Sequence, residues 1–266
     1  MQIRTRYALA EVLPEPSRPW RRLLRMDGED AAHVDIEHPE RIEFAYVRRL
    51  ADVADLVAPK GHPIDALHLG GGGFTLPRYI AATRARSRSE VAEIDQGVLE
   101  LARQHLGLRT SRELRVRVAD ARHVVERRRD ASADLVVLDA FEGAEMPGHL
   151  VTAEFAREAR RVLRPRGLFA ANVIDVPPLE ATRRLGATLA FAFAQVVVVG
   201  PRKVLRGRVG GNAVLVAGQR VPGGALRVRA SRGAPPEIVL GGDALRSFIA
   251  GARPSRDGAP GGSLAR

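Results

Sequence analysis

Between residues 64 and 200 short apolar runs alternate with segments of helical periodicity, and this alternation constrains the chain more than any other feature. "IDALHL", "RSEVAEID", "RVRVAD", "ADLVVLDAF", "LFAANVID" and "QVVVVG" read as strands, with helices between them. One helix is expected over 152–167, stopped by Pro165 and Gly167. Strands separated by helices of this length predict an α/β fold with a doubly wound, mostly parallel Rossmann-like sheet. A last strand in "GNAVLVAGQ", close behind "QVVVVG", predicts an antiparallel edge. Upstream, "WRRLLRMDGEDAAHVDIE" predicts a small N-terminal β-hairpin turning at Asp27-Gly28, followed by a helix in "RIEFAYVRRLADVADLV". The expected division is an N-terminal hairpin-and-helix region (1–55), a nucleoside-binding Rossmann-like catalytic domain (56–222) and a C-terminal extension (223–266). The extension's Pro/Gly/Ser-rich last 15 or so residues are expected to be disordered.

Four consecutive glycines, Gly70, Gly71, Gly72 and Gly73, follow the first of these strands and open a helix. Such a turn offers free backbone N–H groups and close approach to a ligand. The dinucleotide spacing G-x-G-x-x-G fails, because its third position is Thr75 or Leu76. Glu93 lies 20 residues after Gly73 at the tip of the second strand, the place from which a carboxylate holds ribose hydroxyls. A tight turn beside a solvated glutamate is the plain alternative. Asp120 ends the third strand and reads equally as a helix N-cap or as an acceptor for an adenine amino group. Asp139 ends the fourth strand before a loop, where capping explains it less well.

The 266 residues carry 42 basic and 31 acidic side chains, 42 − 31 = +11. Such a charge can signal nucleic acid, but only Lys60 and Lys203 are lysines and the arginines are scattered. No nucleic-acid partner is therefore expected. No apolar run reaches the ~18 residues that span a bilayer, and no secretory leader is evident, so a cytoplasmic location is expected. Cysteine is absent, and the seven histidines show no ligand spacing, so no metal is implied. His68, in a buried strand, reads as a core histidine.

Together these motifs resemble the spermidine synthase family of aminopropyltransferases, which share the class I S-adenosylmethionine-dependent methyltransferase fold. "LHLGGGGFTLPRYI" is similar to the family's glycine motif and "EVAEIDQGVLELARQHL" to its V-E-I-D motif. "VADARHVV" is similar to its G-D-A motif, and "LDAFEGAEMP" to its D-S-[ST]-D-P catalytic loop. The resemblance implies decarboxylated S-adenosylmethionine as co-substrate, a polyamine as acceptor and a homodimer. It further implies Glu93 and Ile94 on the ribose side, Asp120 and Ala121 at the adenine, and Asp139 as base. Tyr46, Glu142 and Glu145 would face the amine substrate. A carboxylate suits that chemistry, since an ammonium must lose a proton before it can attack.

Departures accompany the matches. Gly73 stands where the family's G-G-G-D-G-G carries aspartate, and Phe74 and Thr75 follow it. Ala140, Phe141 and Glu142 replace the serine, threonine and second aspartate of the catalytic loop. Tyr46 lacks the family's neighbouring histidine, and Ala31 stands nearest the place of a missing glutamine. The alternatives are therefore a methyltransferase using intact S-adenosylmethionine, or a non-catalytic nucleoside-binding homologue.

Overall fold

A computed structural model of the chain describes residues 1–143, 145–233 and 235–258. Four strands come first: β1 (Gln2–Arg4), β2 (Leu9–Glu15), β3 (Arg18–Met26) and β4 (Glu29–Asp35). They pair antiparallel in the order β1-β2-β3-β4, so the expected hairpin is half of a larger sheet. The Asp27-Gly28 turn supplies the positive φ values the hairpin needs, 50° and 87°.

Helix α1 (Ala45–Leu56) leads into the alternating region: β5 (Asp65–Leu69), α2 (Thr75–Thr83), β6 (Arg88–Glu93), α3 (Gln96–His105), β7 (Leu114–Val118), α4 (Ala121–Glu126) and β8 (Ala133–Leu138). After these come α5 (Ala153–Val162), β9 (Leu163–Asp175), α6 (Glu180–Ala192), β10 (Gln195–Pro201), α7 (Arg202–Leu205) and β11 (Gly211–Gly218). The described chain closes with α8 (Gly223–Ser231), β12 (Glu237–Gly241) and α9 (Asp243–Phe248). Eight strands form one sheet in the order β12-β10-β11-β9-β8-β5-β6-β7. Pairing is parallel from β9 to β7, while β11 and β12 run against their neighbours, which gives the expected antiparallel edge. The chain builds outward from β5 to β7, then returns to place β8 on the other side. The crevice between β5 and β8 is thus the topological switch point where open α/β sheets bind ligands.

The period of two along β8 divides the core. Val136 and Leu138 face α4, α5 and α6, whereas Leu135 and Val137 face α1, α2 and α8. A third cluster joins the N-terminal sheet to α3 and the edge of β6 and β7 through Leu24, Val34, Phe74 and Val98. His68 is buried beside Ser89 (Nε2 to Oγ, 3.3 Å), and burial lowers its pKa to about 3, so it is a neutral core residue.

Some of the positive charge is internal. Arg84, 2% exposed, donates to the carbonyls of Asp55, Ala58, Pro59 and His62 and ties α2 to the end of α1. Its guanidinium is a fixed multidentate donor for loop carbonyls, so the net charge overstates the basic surface.

Two expectations are corrected. The helix expected over 152–167 ends at Val162, and residues 163–175 are one strand, bulged where its register on β8 shifts from Leu163 to Leu168. Pro165 falls in that bulge, where no ladder N–H is required. The extension beyond 222 is not separate: β12 completes the main sheet. Residues 252–258, expected to be disordered, are bound across α5 and α6. Ala153 N donates to Ser255 O (2.9 Å), Ser255 N to Thr188 Oγ1 (3.0 Å) and Asp257 N to Glu154 Oε2 (3.0 Å). Backbone pairing with helix side chains outweighs the segment's composition. The rest of that expectation, 259–266, lies outside the described residues.

Candidate active site

The switch-point crevice is lined by the ends of β5, β6 and β8. Gly70 leaves β5 with φ +102°, and a Cβ there would lie 2.2 Å from Asp139 O. Only glycine allows β5 and β8 to approach so closely. Gly71 N donates to Glu93 Oε2 at 2.8 Å. Gly72 needs only its positive φ of +47° and has open space beside it. Gly73 is enclosed: an added Cβ would meet Ala32 Cβ at 2.5 Å and Val34 Cγ2 at 3.0 Å. The N-terminal sheet therefore fills the place where the family's aspartate would begin. Phe74 follows in the left-handed region (φ 54°) with its ring buried beneath Gly71.

Glu93, 7% exposed, spans two backbone donors, Gly71 N and Asp95 N (2.8 Å each). Burial raises its pKa, opposed by N–H groups of Asp95, Gly71 and Gly72. Asp95 in turn caps α3 by accepting from Gly97 N. Ile94 is half-exposed beside Glu93, and so is Val118 at the end of β7. Asp120 is the helix N-cap that the sequence offered as one of two readings. It caps α4 through His123 N (3.1 Å), and its other oxygen meets His149 Nε2 at 2.8 Å. Burial opposes ionisation there, but the His123 amide and His149 hold its pKa below the ordinary value. Ala121, the first residue of α4, is buried.

Asp139 is the most perturbed carboxylate at the crevice. Burial pushes its pKa up to about 6, against a hydrogen bond from Asn172 Nδ2 (2.9 Å) that favours the anion. Asn212 Nδ2 donates to Asn172 Oδ1 at 3.0 Å, so β11, β9 and β8 are joined by a chain of amides that ends on the carboxylate. Tyr46 belongs to the same group: its pKa is raised well above the usual value by burial and then by the charge of Asp139. Its hydroxyl reaches Ala31 O at 3.5 Å, at the far end of a hydrogen bond. Glu142 and Glu145 bridge one another backbone to backbone across Gly143 in the following loop, Glu142 exposed and Glu145 half-buried.

Asn172 and Asn212 are absent from the expectations drawn from sequence. An asparagine inside the apolar run "LFAANVID" was the available signal, since a buried amide requires a partner. Among the described residues no group of three or more metal-ligating side chains is placed to hold an ion. No helix among them is long and apolar enough to cross a membrane.

Comparison with known proteins agrees with this geometry. A family model described as a methyltransferase domain matches residues 67–171. A polyamine aminopropyltransferase from Vibrio vulnificus is 33% identical over 157 residues, covering 57% of this chain and 51% of the relative. The matched region thus spans about half the length of the first curated relatives, 51% and 52%. A probable spermidine synthase from Corynebacterium glutamicum superposes with a TM-score of 0.89 at 27% identity, over 100% of this chain and 98% of that one. A spermidine synthase solved with the transition-state analogue AdoDATO shares the fold, with a TM-score of 0.65 at 20% identity over 83% of this chain and 73% of that one. The eight-stranded sheet, the glycine turn beside Glu93 and these likenesses give the chain the S-adenosylmethionine-dependent methyltransferase fold and make it similar to the spermidine synthases.

Proposed function

We propose that the chain transfers an aminopropyl group from decarboxylated S-adenosylmethionine to an amine of a polyamine. The observation that carries this reading is Asp139: a half-buried carboxylate at the end of β8, opposite the glycine turn, oriented by Asn172 and adjacent to Tyr46. In this reading Glu93 accepts from the ribose hydroxyls, and Asp120 beside Ala121 accepts from the adenine amino group. Ile94 covers one face of the nucleoside. Gly72, with open space beside it, leaves room for the thioether chain, and Glu142 and Glu145 attract the distal ammonium of the acceptor.

With a pKa near 6, Asp139 is ionised at neutral pH and binds the attacking amine through an N–H. The nitrogen lone pair forms a bond to the carbon beside the sulfonium, and the C–S electron pair returns to sulfur. Methylthioadenosine leaves, and the proton lost by nitrogen passes to Asp139. Carboxylate and sulfonium charges are neutralised together, which favours the step in a water-poor crevice. A homodimer in the cytoplasm completes the proposal, and light scattering on the purified protein tests the assembly.

Incubation with decarboxylated S-adenosylmethionine and diamine to tetraamine acceptors tests the reaction by mass spectrometry. Methylthioadenosine and an acceptor enlarged by one aminopropyl unit are expected. No methylthioadenosine with any acceptor overturns the proposal. One observation favours the second reading, methyl transfer from intact S-adenosylmethionine. Ala32 and Val34 make the surroundings of Gly73 apolar and remove the anion that would repel the cofactor's carboxylate. Release of S-adenosylhomocysteine in the same assay would select it.

A further inference from the structure

A cleft of about 1000 Å³ lies between residues 250–258 and the body of the domain, against α4 and the start of α6. None of Gly70 to Gly73, Glu93 or Asp139 lines it. Its walls hold Arg122, Arg183, Arg184, Arg253 and Arg256 against Glu180 and Asp257. The acids are already engaged. Asp257 receives both η nitrogens of Arg122, at 2.8 and 2.5 Å, and Glu180 pairs with Arg184 one turn along α6. Arg256 reaches Glu154 at 3.3 Å.

Two guanidiniums have no ion pair among the described residues, the half-buried Arg183 and the exposed Arg253. Arg253 has no ion pair or hydrogen bond among the described residues. Arg183 has no acidic partner there either; its Nε is out of water with no acceptor, and its guanidinium lies 5.4 Å from the Phe248 ring centroid. A buried guanidinium N–H without an acceptor is costly, and the ring restricts the fork that carries it. An anion entering the cleft would meet both guanidiniums. Arginine's planar fork matches phosphate oxygens, and a phosphate group brings close to two negative charges at neutral pH. That equals the charge left over on Arg183 and Arg253.

We propose that this cleft binds a phosphate-bearing small molecule, at a site separate from the crevice at Asp139. Arg122, on its wall, also donates to His149 O (3.2 Å), and His149 meets Asp120, so the cleft adjoins the adenine end of the crevice.

Calorimetric titration of the full chain with inorganic phosphate, pyrophosphate and ATP, at constant ionic strength in chloride, tests this without turnover. Its outcome is therefore independent of the proposed reaction. Saturable one-to-one binding is expected, weakened about tenfold or more by Arg253→Gln and by Arg183→Gln. Arg112→Gln, a change at an exposed arginine away from the cleft, should leave it unaltered. Should Arg183→Gln disturb folding, as judged by circular dichroism, Arg253→Gln on the outer segment decides. Pyrophosphate matching ATP assigns recognition to the phosphates alone; tighter ATP supports the site where Arg253→Gln weakens it, and ATP binding that Arg253→Gln leaves unaltered belongs to the nucleoside crevice and overturns it. Absence of saturable binding to all three probes overturns it, as does equal weakening by Arg112→Gln. Binding confined to nucleic acid polymers with a steep salt dependence also overturns it.

Discussion

Asn172 Nδ2 donates to Asp139 Oδ1 at 2.9 Å, a contact between neighbouring strands that opposes the effect of burial on the carboxylate. The amide is itself oriented, because Asn212 donates to its Oδ1 and leaves the NH₂ group for Asp139. A donor to the charged form lowers a carboxylate's pKa, and here it limits the rise that burial imposes.

Removing that donor should raise the pKa of Asp139 further. In Asn172→Ala the acidic limb of kcat/KM, near pH 6 in the parent, is expected to move up by roughly half to one pH unit. A pH–rate series from 5 to 9 reads this, and an unmoved limb refutes the role given to Asn172.

Asp139→Asn is expected to abolish turnover by roughly 10²-fold or more, as loss of a general base does. Stability should change in the opposite direction. A carboxylate whose pKa is higher folded than unfolded stabilises the fold fully below about pH 4. That contribution is lost as pH rises through about 6, so at pH 7.5 the ionised group is a net cost. The neutral amide avoids this, for a gain of about 1–3 kcal/mol in urea unfolding at pH 7.5 that vanishes near pH 4. A variant less stable than the parent at pH 7.5 contradicts the sign.

Glu93→Gln replaces one of two acceptor oxygens with a donor facing Gly71 N or Asp95 N. One backbone N–H then lacks an acceptor, at a cost of about 1–3 kcal/mol in stability. Methylthioadenosine should bind about tenfold or more weaker by calorimetry. Unchanged affinity would remove Glu93 from the nucleoside site.

Gly73→Asp reinstates the family residue but sets its Cβ 2.5 Å from Ala32 Cβ and 3.0 Å from Val34 Cγ2. Alone it should destabilise by about 1–3 kcal/mol, a drop of a few degrees in Tm. It should leave KM for the decarboxylated donor no better. Adding Ala32→Gly clears the nearer contact and should lower that KM relative to the single variant. An unaltered Tm in the single variant shows that β4 yields.

The sequence by itself determined the alternation of strands and helices, the antiparallel edge, and the positions of Gly70, Glu93, Asp120 and Asp139 at strand ends. These follow from local periodicity and from the residue types that strand–turn–helix junctions require, both readable without long-range contacts. Tertiary structure alone decided three things: that Asn172 and Asn212 converge on Asp139, that Ala32 and Val34 close the space at Gly73, and that residues 252–258 bind across α5 and α6. Each depends on which strands and segments become neighbours, with Asn172 and Asp139 separated by 33 positions in the chain and Ser255 and Thr188 by 67. Composition pointed the wrong way for residues 252–258, since Pro and Gly content reports chain entropy but not the hydrogen-bond partners waiting on a helix. The chemistry of Asp139 lies between the two: its place was legible in "LVVLDAF", whereas its pKa comes from burial and from an amide on the next strand.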